Sequence, residues 1–574
     1  MPKETIKSGI VSDAYLRLLA DRGIDYMFVN GGTDFAPIIE SFAKADVEGT
    51  KMPEPVIAPH ENVAVSMAHG YYLVTGKPQA VMVHVNVGTA NAICGVINAY
   101  RDRVPMLMTA GRTPLTETEL PGSRSGSIHW AQEMFDQAGM LREVVKWDYE
   151  LRNGEQVEAV VDRALEVAMA EPKGPVYLSL PREVLGYEIK DFQYETPSRR
   201  VTSSPAAPDL AAIEKVAEML VNAERPLIIT RTAGQNPLAV EKVAAIAEDY
   251  AIPVGEFRPV YNTLANSHAM NIGFDLHDYL GQADCIVTLD CDAPWLPEFH
   301  GQPAEDCHVI QIATDPLFQN YPIRGFARDL SIAADIGLAL AALKEALAAK
   351  KDAMVDAIDS RRAGLAERRD ERLQRIEGVI GKVKSQTPLH QAWITRCLDE
   401  QIDDDALIFN DYPLLLPFMK ERKPNTYFGT PLAGGLGFGV GAALGAKLGA
   451  PDKLVISAVG DGAYMFGNPV PAHQVAAAYD LPILFLVFNN SLWGAVKRSA
   501  LGMYPDGFAA KSNKMPITQM EPSPEYDKIM DMFGGYGEKV ENPEDVPGAI
   551  ERALHAVQVE KRQALLHFVT GLAW

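Results

Sequence analysis

The residues with the clearest chemical potential lie between Lys453 and Asn490, KLVISAVGDGAYMFGNPVPAHQVAAAYDLPILFLVFNN. An apolar run, Leu454 to Val459, ends in Gly460-Asp461-Gly462; a helix-compatible segment follows, and a second apolar run, Ile483 to Phe488, closes in Asn489-Asn490. The pattern predicts strand, tight turn, helix and strand, which sets the turn and the second strand's end side by side on one edge of a parallel sheet. Two glycines let the backbone turn sharply and approach a ligand, and the free N–H groups of the helix's first turn favour an anion. Asp461 offers a carboxylate to a hard cation and Asn490 a neutral amide oxygen, a donor set that suits Mg²⁺ shared with a diphosphate. A Gly-Asp-Gly turn alone matches by accident; the flanking strands and Asn490 make this one specific.

Three further stretches, PHENVAVSMAHGYYLVTGKP (59–78), GGLGFGVGAALGAKLG (434–449) and NNSLWGAVKR (489–498), join this turn in a wider likeness. Together they resemble the thiamine-diphosphate (ThDP) enzymes of the 2-oxo acid decarboxylase and acetolactate synthase superfamily, with motifs nearest to the benzoylformate decarboxylases. The resemblance implies that Gly434, Gly435, Leu436, Gly460, Gly462, Ala463 and Asn490 bind the coenzyme and that Asp461, Asn490 and Leu492 hold Mg²⁺. Leu436 resembles the bulky residue that wedges between the coenzyme's two rings. Glu61 resembles the glutamate that favours the imino tautomer of the aminopyrimidine, the internal base for the thiazolium C2 proton; read alone, it is also an ordinary first-turn acid of a helix. His84 resembles an active-site histidine able to exchange protons near neutrality. Thr33 falls where the decarboxylases carry a serine that contacts substrate carboxylate, and His300 resembles a second active-site histidine from the middle domain. His60, His129 and Trp493 are near-site candidates better read as packing or surface residues. Lys497, Arg498 and Arg124 are candidate holders of a substrate carboxylate or phosphate, or else solvated cations. One departure stands out: where the decarboxylases have a Ser/Thr-rich diphosphate loop, NDYPLLLPF has no hydroxyl except Tyr412.

The elements that must position these residues alternate. A helix from Ser12 leads to strand DYMFVNGG, then strand VIAP, helix ENVAVSMAHGYYLVTG, strand AVMVHV, a turn NVGTANA opening another helix, and strands PMLMTAG and PVYLSLP. Strand–helix alternation predicts α/β architecture with a parallel sheet covered on both faces. Strands PLIITRT, DCIVTLDC and HVIQIAT predict a second such sheet, and ALIFND with the central clamp a third. The expected organisation is three doubly wound domains: 1–186 pyrimidine-binding, 187–347 central, and 387–574 diphosphate- and Mg-binding. A polar linker, Tyr187 to Pro208, separates the first two, and a solvated helical connector, 348–386, precedes the third. SALGMYPDGFAAKSNKMP, after Arg498, reads as a long irregular stretch able to form a lid.

At 574 residues and 47% hydrophobic content the chain has ample core for about three domains. Its net charge of −22 argues against general affinity for nucleic acid or acidic lipid. Five scattered cysteines predict neither zinc nor a disulfide framework. With no signal-peptide core and no apolar run long enough for a membrane, the expected address is the cytoplasm.

The resemblance implies ThDP- and Mg²⁺-dependent, non-oxidative decarboxylation of a 2-oxo acid through an enamine, releasing CO₂ and an aldehyde, with carboligation open to it. Alternatives in the class are an acetolactate synthase-like carboligase and a C–C hydrolase of a diketone; outside it, a non-catalytic ThDP-binding sensor or regulatory subunit. The family pairs the two coenzyme-binding domains across a subunit interface, so a homodimer is the expected minimum and a homotetramer the expected form. FAD occurs in the middle domain of some relatives, and no FAD signature is legible here.

Overall fold

The computed structural model describes residues 3–420, 422–512 and 514–572. As the alternation predicts, three six-stranded sheets follow one another along the chain, every strand pair within them parallel. Strand β1 (Lys3–Ile10) precedes the first sheet, which is built from β2 (Tyr26–Asn30), β3 (Glu54–Ile57), β4 (Ala80–Val83), β5 (Leu107–Arg112), β6 (Asp148–Glu150) and β7 (Val176–Pro181). Its spatial order is β3-β2-β4-β5-β7-β6.

The stretch expected as linker after this sheet holds a further strand, β8 (Glu188–Glu195), paired antiparallel with β1. Five of the eight residues of β1 and four of the eight of β8 are exposed. A two-stranded ribbon with only Ile6 and Tyr194 buried lacks the apolar periodicity by which strands are recognised, and so it was invisible as sequence.

The middle sheet comprises β9 (Pro226–Thr230), β10 (Val254–Gly255), β11 (Asn271–Gly273), β12 (Cys285–Leu289), β13 (His308–Ala313) and β14 (Leu330–Ala333), in the order β11-β10-β9-β12-β13-β14. A helix, Val355–Val383, then runs for 29 residues to the third part, its charged face largely exposed as the composition predicts. The third sheet comprises β15 (Leu407–Asp411), β16 (Tyr427–Phe428), β17 (Val455–Gly460), β18 (Leu484–Asn489), β19 (Tyr536–Val540) and β20 (Ala564–Val569), ordered β16-β15-β17-β18-β20-β19. The first and third sheets thus share one winding, and the middle sheet has another.

The winding decides where chemistry can sit, because ligands of open α/β sheets bind beyond the carboxyl ends of strands where the order reverses. In the first sheet that point lies between β2 and β4, whose register pairs Asn30 with Val83. In the third it lies between β15 and β17, where Asp411 pairs with Val459.

One apolar core serves the first and third sheets, running from Phe28 and Val63 through Phe438 and Val459 to Leu565. Its centre is the crossing of two helices, Glu61–Thr75 and Phe438–Gly449, and glycines make the crossing close. A Cβ on Gly70 would lie 2.0 Å from the carbonyl oxygen of Ala442, and one on Gly445 would lie 1.9 Å from that of Met67. The backbones themselves are in contact there, and no side chain fits between them.

Candidate active site

At the end of β17 the chain turns at Gly460 and enters a short helix, Asp461–Phe466. Gly460 pairs with Phe488 of the neighbouring β18, so Asp461 emerges beside Asn489 and Asn490 as the spacing requires. Asp461 is buried, 3% exposed. One carboxylate oxygen, Oδ1, accepts from the N–H of Gly462 at 2.8 Å; the other, Oδ2, is buried and has no hydrogen-bond partner among the described residues. Burial pushes this carboxyl's pKa up, against the peptide N–H groups of Gly462, Ser491, Asn490 and Leu492, which lower it. A buried carboxylate oxygen left bare costs a kcal/mol or more by the usual scale, about 1–3, unless a cation takes it. Asn490 and Leu492 follow in a turn closed by a bond from the Leu492 N–H to Asn490 Oδ1 at 2.9 Å. Asp461, Asn490 and Leu492 therefore fit a hard cation, and Gly460, Gly462 and Ala463 line the turn beside it.

The indole of Trp493 covers the turn, lying 2.4 Å from where a Cβ on Gly462 would stand. Only glycine at 462 admits it. Behind the turn Asn489 is clamped: its Nδ2 donates to Ser523 Oγ at 2.7 Å and to His567 Nε2 at 2.8 Å, and its Oδ1 accepts from the Ser491 N–H at 3.0 Å.

The segment Gly434-Gly435-Leu436-Gly437 is held from both sides. Asn98 exchanges two hydrogen bonds with the Gly435 backbone, at 2.9 and 3.1 Å, and the N–H of Gly437, at φ +82°, donates to Asp411 Oδ2 at 2.8 Å. Leu436 is half-buried against the common core. The second half of this glycine run serves the helix crossing instead. Burial raises the Asp411 carboxyl to about 6, against the N–H groups of Gly437, Gly439 and Phe438 and the Thr430 hydroxyl, which lower it.

At the switch point of the first sheet, the short turn Thr33–Phe35 follows β2 and His84 follows β4. Thr33 is exposed, and its carbonyl accepts from Arg182 at 3.2 Å. The neighbouring Asp34 is buried and reaches His84: Oδ1 lies 2.5 Å from His84 Nδ1, and Oδ2 accepts from the Val85 N–H at 3.3 Å. Val85 adopts φ +33°, a conformation that costs a β-branched residue about 1–3 kcal/mol. The Asp34 bond to its N–H helps hold that strained turn. A carboxylate against Nδ1 leaves the lone pair of the neutral ring on Nε2, which lies 3.5 Å from Gln132 Nε2. The Asp34 hydrogen bond raises the His84 pKa, burial lowers it, and the charges of Asp34 and Glu61 raise it further.

Glu61 opens its helix, 6% exposed, with Oε2 accepting from Asn91 Nδ2 at 3.1 Å. Gly88 leaves room beside it, since a Cβ there would stand 3.3 Å from Glu61 Oε1. His60 caps that helix, its Nδ1 accepting from the Asn62 N–H at 3.1 Å, a structural role.

The remaining candidates lie elsewhere or are engaged. His300 is buried in the middle domain, its Nδ1 accepting from the Leu296 N–H at 3.0 Å and its ring packed edgewise on Phe257 and Phe299. These contacts do not bring it to the other candidates. Arg124 is paired with Glu133 at 2.6 Å. His129 accepts at Nδ1 from the Ser125 N–H at 3.0 Å. Lys497 and Arg498 lie on a helix, Gly494–Met503, so part of the stretch expected to be irregular is ordered.

Asp34, Gln132, Asn91 and Asn98 were missed by reading the sequence. Each meets its partner only through the sheet order or the helix crossing; the one local signal is the position of Asp34 beside Thr33 in the same turn.

A model of the thiamine pyrophosphate enzyme N-terminal TPP binding domain matches residues 10–140, and one of the C-terminal TPP binding domain matches residues 413–568. The two segments make up half of the chain. A benzoylformate decarboxylase of Pseudomonas aeruginosa is 26% identical, the alignment covering 85% of this chain and 87% of the relative. A sulfoacetaldehyde acetyltransferase of Alcaligenes xylosoxydans xylosoxydans is 25% identical over 97% of this chain and 92% of its own, and an acetolactate synthase large subunit of Buchnera aphidicola is 24% identical over 95% and 92%. The crystal structure of a benzoylformate decarboxylase from Polynucleobacter necessarius superposes with a TM-score of 0.78 at 20% identity, covering 99% of each chain. The three sheets, the glycine-flanked Asp461 and both matched segments agree, and the chain belongs to the thiamine pyrophosphate enzymes.

Proposed function

We propose that this protein is a ThDP- and Mg²⁺-dependent decarboxylase of a 2-oxo acid, working as a homodimer or a higher assembly of such pairs in the cytoplasm. The observation that carries the reading is the Asp34–His84 pair at the switch point of the first sheet, 2.5 Å apart. When bound, ThDP supplies the electron sink that makes loss of CO₂ from a 2-oxo acid feasible. Asp461, Asn490 and Leu492 would hold the cation that carries the diphosphate, and Leu436 would support the coenzyme. Glu61, buried and fixed by Asn91, would hold the coenzyme's aminopyrimidine nitrogen. His84 presents Nε2 to the substrate and carries or accepts the proton there, with Asp34 fixing its ring and tautomer. Thr33 offers its hydroxyl to the substrate carboxylate beside that ring.

A screen of 2-oxo acids for CO₂ release with added Mg²⁺ and ThDP, with mass spectrometry of the organic product, tests this. An aldehyde formed with CO₂ is the expected result; no CO₂ from any 2-oxo acid refutes it. Acyl transfer is the second reading, favoured by the acetyltransferase that matches 97% of this chain. It predicts CO₂ together with an acyloin, formed on the carbonyl of an acceptor, instead of a free aldehyde.

A further inference from the structure

The middle sheet reverses its strand order between β9 and β12, where such sheets place a ligand. In this chain ion pairs occupy that crevice, Arg103 with Asp290 at 2.8 Å and Arg231 with Asp292 at 2.9 Å, and the cavity beside Arg103 and Asp290 measures about 10 Å³. A large cavity lies at the β11 edge of the same sheet. It measures about 890 Å³, within the range of small-molecule sites. Its walls are the edge strand β11 with the turn after it, the Val355–Val383 helix, and the loop Pro417–Lys420 of the third part.

Six basic residues and four carboxylates face this cavity. Arg375 is within 3.7 Å of Asp278, Arg396 within 2.7 Å of Glu377, and Lys420 within 3.2 Å of Glu400. Arg368, Arg369 and Arg372 form no ion pair among the described residues. Arg368 donates to neutral oxygens, Gln282 Oε1 at 3.1 Å and the Asp278 carbonyl, and lies over the Tyr279 ring at 5.2 Å; Arg369 donates to the Ser267 carbonyl at 3.0 Å. Arg372 has no hydrogen bond among the described residues and lies against Gly273, 3.1 Å from where a Cβ would stand. Stacking like charges one helical turn apart destabilises a helix. Burial and the charges of Arg369 and Arg375 accordingly lower the Arg372 pKa. Three guanidinium groups of one helix thus face the cavity without a paired carboxylate among the described residues, Arg368 exposed and Arg369 and Arg372 partly buried. Their forks suit a tetrahedral oxyanion, and Phe274 and Phe418 supply apolar wall beside them.

We infer that this cavity binds a phosphate monoester, its dianion held by Arg368, Arg369 and Arg372 and its organic part lying toward Phe274 and Phe418. The site is separate from the coenzyme turn at Asp461 and bridges the middle sheet, the connecting helix and the third part of the chain.

The test uses the full-length protein saturated with ThDP, at ionic strength fixed with chloride. AMP, glycerol 3-phosphate and succinate are titrated by calorimetry, and melting temperature is followed in parallel. We expect at least one of the phosphates to bind saturably below about 10 mM and to raise the melting temperature. Arg372→Met should weaken it at least about tenfold, as loss of a charge-assisted contact does, Arg372→Lys less, and the unliganded Arg372→Met protein should melt no lower than wild type. Should Arg372→Met fail to fold, Arg369→Gln is read by the same criteria. The inference is overturned if neither phosphate binds, if binding survives these substitutions unchanged, or if succinate binds as tightly as the phosphates.

Discussion

Asp34 Oδ1 sits 2.5 Å from Nδ1 of His84, fifty positions away in sequence, because β2 and β4 are neighbours in the first sheet. The bond is the leading cause of the raised His84 pKa. Asp34→Asn should therefore move the His84 pKa down, toward or below its ordinary value of 6.5, and carry the alkaline limb of the pH–rate profile to lower pH. His84→Ala should slow turnover by ~10²–10⁴ with ThDP affinity nearly unchanged. Unmoved profiles in both variants would remove His84 from proton transfer.

The same pair has a stability signature. A histidine whose folded pKa lies above its unfolded value stabilises fully below the unfolded pKa, near 6.5, and that contribution fades as pH rises through the raised folded pKa. Chemical denaturation from pH 5 to 9 should show this loss in wild type and a flatter curve in Asp34→Asn.

Asp461 Oδ2 is buried without a protein partner, so a divalent cation should be needed for coenzyme retention. Chelation should weaken ThDP binding in wild type more than about tenfold, the scale of losing a metal-linked contact. Asp461→Ala should bind ThDP as weakly as the chelated protein and not respond to Mg²⁺. Calorimetric titration reads both. Glu61→Gln, by contrast, should keep binding and lose turnover.

The buried His69–Asp102 contact, Nε2 to Oδ2 at 3.4 Å, joins the Glu61 helix to the segment that receives the Leu432 N–H. Burial lowers the His69 pKa to about 3 and raises that of Asp102 to about 7, so at neutral pH the imidazole is uncharged and the two do not form an ion pair. A carboxyl whose folded pKa exceeds its unfolded one makes the fold lose stability as pH rises between the two values. His69, held neutral, contributes a gain over much of the same range, so between pH 4 and 7 denaturant midpoints should rise with pH more steeply in Asp102→Asn than in wild type.

The glycine crossing makes the sharpest packing prediction. A methyl at Gly445 would sit 1.9 Å from the Met67 carbonyl, so Gly445→Ala must separate two backbones. Overpacking of this kind costs about 1–3 kcal/mol, and the melting temperature should fall by several degrees, with ThDP affinity falling alongside because the adjoining Gly435–Leu436 turn moves.

The sheets and the Asp461 turn were legible because fully buried strands such as LFLVFN are continuous apolar runs and because glycine, aspartate and paired asparagines mark a strand end locally. Asp34 was not, since its role depends on which strand lies beside β2. The β1–β8 ribbon was not, since neither of its faces is consistently apolar. Glycines 441 and 445 stand in the same glycine-rich stretch as Gly434 and Gly435 but belong to a helix crossing; both uses demand a missing side chain and leave the same mark in sequence.

The first and third lobes share one strand order and meet in a common core, while the differently wound middle lobe stands outside that pairing. The cavity at its β11 edge shares no wall residue with the Asp461 turn or with the Asp34–His84 pair. That lobe is where control can diversify without disturbing the chemistry.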